Sequence, residues 1–135
     1  MALTWDSSLE LGVQEIDDQH REIFSHFEKL SSACQSGQGE EVLDEVLTFL
    51  DNYVAHHFSS EEALMERFRY PKLPEQREQH AIFRQVIEEL RSRSREGEQG
   101  HELSLAIDRQ LVRWLIQHIR SFDRELAEYI ATHPV

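Results

Sequence analysis

The sequence holds a single cysteine, Cys34, among 135 residues. That excludes an internal disulfide framework and any zinc site built on cysteine ligands. Cys34 falls on the apolar side of its helical pattern and reads as a small core residue. No apolar run approaches the roughly 18 residues needed to cross a bilayer. The opening Met-Ala-Leu-Thr-Trp-Asp-Ser-Ser has neither a basic flank nor a long apolar stretch. No secretory signal is therefore expected, and a cytoplasmic location is. Sustained period-two alternation between turn residues is also missing, which argues against β-architecture. Basic residues are outnumbered, 14 Lys and Arg against 26 Asp and Glu, for a net charge of −12. Nucleic acid and anionic membrane are poor partners for such a surface.

What remains is a helical pattern and eight histidines. Hydrophobic residues make up 39% of the chain, enough at this length for one domain with a real core. Residues 1–16 read as an irregular arm carrying Trp5, Leu9, Gly12 and Val13. A first helix is expected over about 17–37, capped by Asp17 or Asp18. Its apolar positions Ile16, Ile23, Phe27, Leu30 and Cys34 take His20 into the same seam at steps of three and four. Gly37 and Gly39 stop it. A second helix is expected over about 40–69, with Leu43, Val46, Leu50, Tyr53, His57, Glu61, Leu64 and Phe68 inward, and Pro71 ends it. The third, about 74–96, has Pro74 in its first turn and Gln76, His80, Phe83, Ile87 and Leu90 inward. Gly97 and Gly100 mark the next turn. The fourth, about 103–131, turns Ile107, Leu111, Trp114, His118 and Phe122 inward. Short connections make neighbouring helices antiparallel. The expected architecture is all-α, an up-down-up-down four-helix bundle in one domain over 1–135.

His57 and Glu61 lie four residues apart and so stack on one helix face. Set into a core stripe, they must be neutralised, paired or bound to metal. Counting from the turns tests whether other such residues join them. About Gln38, His20 lies 18 residues before and His57 19 after. About Gln99, His80 and His118 each lie 19 residues away. Glu61 and His80 come within about one helical turn. One imidazole per helix plus a carboxylate thus converge on one layer. Four neutral imidazoles would need separate partners there. Imidazole with carboxylate suits iron, zinc, copper or manganese, and a carboxylate can bridge two ions. The other histidines read as bland: His56 is about 100° round the helix from His57, His26 is off the seam, His101 is in a turn and His133 in the tail. Glu98-Gln99-Gly100-His101 has a Glu-x-x-His spacing, but its glycine belongs to a turn. Asp17 stands three residues from His20 and reads as a cap.

Four longer motifs carry a resemblance. They are Trp5-x3-Leu9-x2-Gly12-Val13-x2-Ile16-Asp17-x-Gln19-His20, then Tyr53-x3-His57-Phe58-x2-Glu61-Glu62, then Tyr70-Pro71-x8-His80-x2-Phe83, and finally Trp114-Leu115-x2-His118-Ile119-x3-Asp123. Over nearly the whole chain they resemble the hemerythrin family, in its single-domain bacterial branch. The resemblance implies two non-haem iron ions joined by an oxo or hydroxo bridge. His20 and His57 would hold one ion and leave it an open position for dioxygen, with His80 and His118 on the other. Glu61 and Asp123 would bridge them. Asp123 comes from the resemblance alone: five residues past His118 it turns about 140° round an α-helix, and Glu125 is the seam position. Ile23, Phe58, Trp114, Leu115 and Ile119 would wall an apolar pocket for dioxygen, though each also reads as ordinary core.

One position departs from that family's pattern. Gln76 stands where a second histidine would precede His80 by four residues. An amide oxygen is a neutral, weaker donor. Gln76 could ligate weakly, water could fill the position, or Glu75 or Glu78 could swing in. The two glutamates point off the seam, which favours the first two. The expected function is dioxygen binding for storage, delivery or sensing. The alternatives are a diiron oxidase or peroxidase using the altered position, and a bundle holding zinc or no metal.

Overall fold

The computed structural model describes residues 5–37, 40–98 and 100–134, with the side chains of 40 and 41 excepted. Residues 1–4 of the arm, Gly39, and Gln38 and Gln99, the expected turn centres, lie outside the described residues. Among the described residues there is no strand. A short 3-10 turn, Ser7–Leu9, precedes α1 (Gln14–Gln35), α2 (Glu40–Arg67) and α3 (Leu73–Arg95). A fourth rod is α-helical over Gly100–Ile107, π-helical over Asp108–Val112, α-helical over Arg113–His118, π-helical over Ile119–Asp123 and α-helical over Arg124–Thr132. α1 packs on α2, α2 on α3, and the fourth rod on both α3 and α1, which closes a four-membered bundle. No helix among the described residues is long and apolar enough to cross a membrane.

The first helix begins earlier than Asp17. It starts at Gln14 with Val13 at its cap, and Val13 makes no side-chain bond there. Asp17 instead sits in the first turn, where a carboxylate favours the positive helix end. Its two oxygens accept the backbone N–H groups of Leu11 and Gly12 at 2.9 and 3.1 Å. Asp17 is therefore the anchor of the arm, and Leu9 is buried beneath it in the main core. The far end closes at Gly37, whose φ of 69° favours glycine.

α2 also stops before Arg69. Arg69 takes a left-handed φ of 54°, and the Tyr70 N–H reaches back to the Met65 carbonyl at 2.9 Å. That six-to-one bond satisfies an orphan carbonyl and turns the chain ahead of Pro71. The inward face of α2 is Leu43, Leu47, Leu50, Val54, His57, Phe58, Glu61 and Met65. Val46, Tyr53, Leu64 and Phe68, expected inward, flank it half-buried, because the core stripe is centred one position later on the helix. The seams of α1 and α3 fall where the three-and-four spacing puts them: Ile16, His20, Ile23, Phe27, Leu30 and Cys34, and Gln76, His80, Phe83, Ile87 and Leu90, are all buried.

Gly100 opens the fourth rod and does not belong to the turn before it. A Cβ there would stand 2.6 Å from the Cys34 carbonyl oxygen, so only glycine lets this helix start against the end of α1. Cys34 is buried, and burial pushes its thiol pKa up, as befits an inert core residue.

Candidate metal centre

The level arrangement expected from turn counting is present. His20 and His57 rings stand 4.7 Å apart, and His80 and His118 rings 5.6 Å apart. Glu61 lies among them: its Oε2 is 3.1 Å from His57 Nε2 and 3.8 Å from His20 Nε2, and its Oε1 is 3.2 Å from His80 Nε2. One carboxylate thus faces two pairs of imidazoles, one oxygen to each.

Asp123 faces the same two pairs from the fourth rod. Its Oδ2 is 3.3 Å from His20 Nε2 and its Oδ1 3.2 Å from His118 Nε2. The π-helical turn over Ile119–Asp123 makes this possible. The Arg124 N–H bonds to the Ile119 carbonyl five residues back, so the rod is locally unwound. In that unwound turn a step of five, from His118 to Asp123, returns to the same face. Glu125, the seam position of a regular helix, is carried out to the surface and pairs there with Lys72. Uniform periodicity therefore misplaced the carboxylate.

Gln76 is buried in the same layer. Its Nε2 donates to Asp123 Oδ1 at 3.2 Å, and its Oε1 has no hydrogen-bond partner. Glu75 and Glu78, the alternatives for that position, are exposed. His20, His57, Glu61 and Gln76 are fully buried, and Asp123, His118 and His80 are 1, 2 and 3% exposed.

Outside the layer, two side chains orient the rings. Gln19 Oε1 lies 2.7 Å from His57 Nδ1, and Glu62 Oε2 lies 2.8 Å from His80 Nδ1. Each turns the opposite nitrogen, Nε2, toward the carboxylates. Arg77 ties Glu62 in place through its Nε at 3.1 Å. Gln19 and Glu62 were not read as functional from the sequence. Their signal was adjacency, since they sit beside His20 and Glu61 inside the motifs themselves.

Of the expected apolar wall, Ile23, Phe58, Leu115 and Ile119 are buried and Trp114 is half-buried. Phe58 stacks on His80 with ring centres 3.8 Å apart, and Trp114 stacks on His118 at 4.9 Å. Phe122 covers the other side of His118 at 5.2 Å. Trp5 of the arm stands against His20 at 6.3 Å. His56, His101 and His133 are exposed, and His26 is half-buried beside Tyr53, away from the layer.

The electrostatics favour charged carboxylates. Burial would raise Asp123, but His118 and His20 outweigh it and hold its pKa well below the usual value. Burial and the neighbouring Asp123 push Glu61 up, and His57 and His80 outweigh both to hold it low. Burial keeps His57 below the ordinary imidazole value against the pull of Glu61. Burial also opposes charge on His80, but Glu61 and Glu62 together raise it.

These residues fit a metal centre, and their unsatisfied atoms say so. Among the described residues, eleven buried side-chain nitrogens and oxygens lack a hydrogen-bond partner. Eight belong to this layer: both nitrogens of His20 and of His118, His57 Nε2, Glu61 Oε2, Gln76 Oε1 and Asp123 Oδ2. Leaving each unmade costs about 1–3 kcal/mol. A cation would relieve as many as six of the eight, since each imidazole ligates through one nitrogen only. His20, His57 and Glu61 form one group whose donor atoms lie within 4.8 Å of one another, and Glu61, His80 and His118 form a second.

Comparison with known proteins agrees with this geometry. The family model described as the Hemerythrin HHE cation binding domain matches residues 11–130. A bacteriohemerythrin of Stenotrophomonas maltophilia (strain R551-3) is 34% identical over 134 residues, covering 97% of this chain and 83% of that protein. A bacteriohemerythrin of Pseudomonas aeruginosa (strain LESB58) is 36% identical over 122 residues, covering 90% and 76%. One from Clostridium acetobutylicum is 27% identical over 125 residues, covering 90% and 95%. With its four-membered bundle, its shared carboxylates and a family match spanning most of its length, this chain belongs to the hemerythrin family.

Proposed function

We propose that the chain holds two non-haem iron ions in this layer and binds dioxygen reversibly. Glu61 carries the proposal, because its two oxygens face different imidazole pairs, as a bridging ligand requires. His20 and His57 would hold the first ion and His80 and His118 the second, with Asp123 as the second bridge. When bound, the iron pair supplies the electrons for reversible dioxygen uptake, one from each ion.

The chain's own residues set the conditions for that chemistry. Gln19 and Glu62 fix the outer ring nitrogens of His57 and His80 and so aim the inner ones. Phe58, Trp114 and Phe122 clamp the rings of His80 and His118 and keep water from them. Ile23, Leu115 and Ile119 line the same core. An apolar wall of this kind slows proton entry and so favours reversible binding over further reaction. All six proposed ligands are at most 3% exposed, which suits a diatomic ligand better than a bulky substrate and favours a binding protein over an enzyme.

Optical spectra of the reduced, iron-loaded protein test the reading. A visible absorption that appears in air and disappears on deoxygenation supports it. Irreversible bleaching with steady consumption of an added reductant would indicate an oxidase. His57→Ala is expected to abolish the reversible change, and retained binding would overturn the placement of the open position.

A further inference from the structure

In the donor atoms they turn inward, the two halves of the layer are alike except at Gln76. The His20–His57 half offers two imidazole nitrogens, Glu61 Oε2 and Asp123 Oδ2. The His80–His118 half offers two imidazole nitrogens, Glu61 Oε1 and Asp123 Oδ1. Only the second half carries a fifth polar group, the fully buried Gln76 amide. That amide acts on the half in two ways. Its Nε2–H is bonded to Asp123 Oδ1 and so competes with an ion for that oxygen. Its Oε1, buried and unpartnered, adds a neutral oxygen donor and no nitrogen.

We propose that Gln76 makes the His80–His118 half the weaker and harder of two metal sites, one that takes manganese(II) in competition with iron(II). Offered both ions, a share of the chains then assembles a mixed centre, iron beside His20 and His57 and manganese beside His80 and His118. The inference rests on the dinuclear reading above. Along the first-row series iron(II) outbinds manganese(II) at a given site, and ligand type decides by how much. Imidazole suits iron, whereas carboxylate and carbonyl oxygens suit manganese. In the first half nitrogens and oxygens are balanced. In the second, oxygens are three of five, which narrows the lead of iron. The Gln76 N–H, by holding Asp123 Oδ1, weakens this half for either ion.

The full chain, stripped of metal and kept anaerobic, is mixed with excess iron(II) and manganese(II) at equal concentration and freed of unbound metal. Elemental analysis counts each metal, and electron paramagnetic resonance reads the manganese and its coupling to a neighbouring iron. Because iron keeps a narrowed lead in the second half, the expected result is more iron than manganese, with a measurable share of chains holding manganese coupled to iron. Gln76→His replaces manganese by iron, with manganese content falling roughly tenfold or more, the scale of a ligand-shell change. Gln76→Glu, which keeps an oxygen of the same length, retains manganese. His118→Ala loses manganese and keeps iron. A wild-type chain that takes two irons and no more manganese than Gln76→His overturns the inference and leaves the dinuclear reading standing. A chain that takes up neither metal overturns both.

Discussion

Gln19 Oε1 stands 2.7 Å from His57 Nδ1 and joins α1 to α2 at the level of the carboxylate layer. The Gln19 amide is held in turn by Ser60, whose Oγ accepts from its Nε2 at 3.4 Å. A His57 ring that donates its Nδ1 proton to Gln19 presents a bare Nε2 inward, the form a metal ligand needs. Burial holds the His57 pKa low and keeps the ring neutral, which suits the same role.

Gln19→Ala is therefore expected to lower metal affinity about 10–100-fold while leaving helicity unchanged. Gln19→Glu keeps the acceptor and should retain most of the affinity. Anaerobic iron titration followed by optical absorption measures both, with circular dichroism as the check on folding. Equal affinity in Gln19→Ala and wild type would mean that packing alone orients the ring.

Asp123 and Glu125 form a second contrast. Asp123→Ala removes a carboxylate that touches His20, His118 and Gln76, and should leave fewer than two irons per chain. Glu125→Ala removes a surface pair with Lys72 and one of the charges near Tyr70, and is expected to keep both irons, with stability near neutral pH changed by at most about 0.5 kcal/mol. Iron analysis of the two purified variants decides between the π-turn placement and a regular helical seam.

That contrast also shows where reading the residues in order succeeds and where it stops. The heights of His20, His57, His80 and His118 follow from chain counting, because an antiparallel pair of regular helices converts distance from a turn into level. Asp123 does not follow, because a π-turn shifts the phase and uniform periodicity has no term for it. Only likeness to a family named that residue. Gln19 and Glu62 were hidden for another reason: they act through a ring nitrogen that faces away from the seam, and the hydrophobic pattern carries no signal for it. The N-terminal boundary was misjudged because Asp17 caps the arm's backbone instead of its own helix.

Asp17→Ala tests that last point. It removes the acceptor of the Leu11 and Gly12 N–H groups in a part-buried setting. A loss of about 2 kcal/mol in urea unfolding is expected, together with faster proteolysis ahead of Gln14. Unchanged stability would show that other contacts, such as those of Leu9 and Trp5, secure the arm.

Tyr70 gives the protein an alkaline limit. Burial, then the negative charges of Glu125, Asp123 and Glu75, push its pKa from 10.0 up to about 12. The folded state keeps the proton while the unfolded chain releases it. The contribution of Tyr70 is therefore full below pH 10 and is lost as pH rises from there through about 12. Tyr70→Phe, compared with wild type as metal-stripped protein, should lose less stability across that window. Parallel losses in the two proteins would remove Tyr70 as the cause.

Iron stoichiometry after anaerobic loading with saturating iron(II) alone is the most direct measurement. Two ions per wild-type chain are expected, with His57→Ala and His118→Ala each falling to one or fewer while remaining helical. A wild-type chain that binds no iron, or either variant still holding two, would contradict the assignment of these imidazoles to a shared pair of ions.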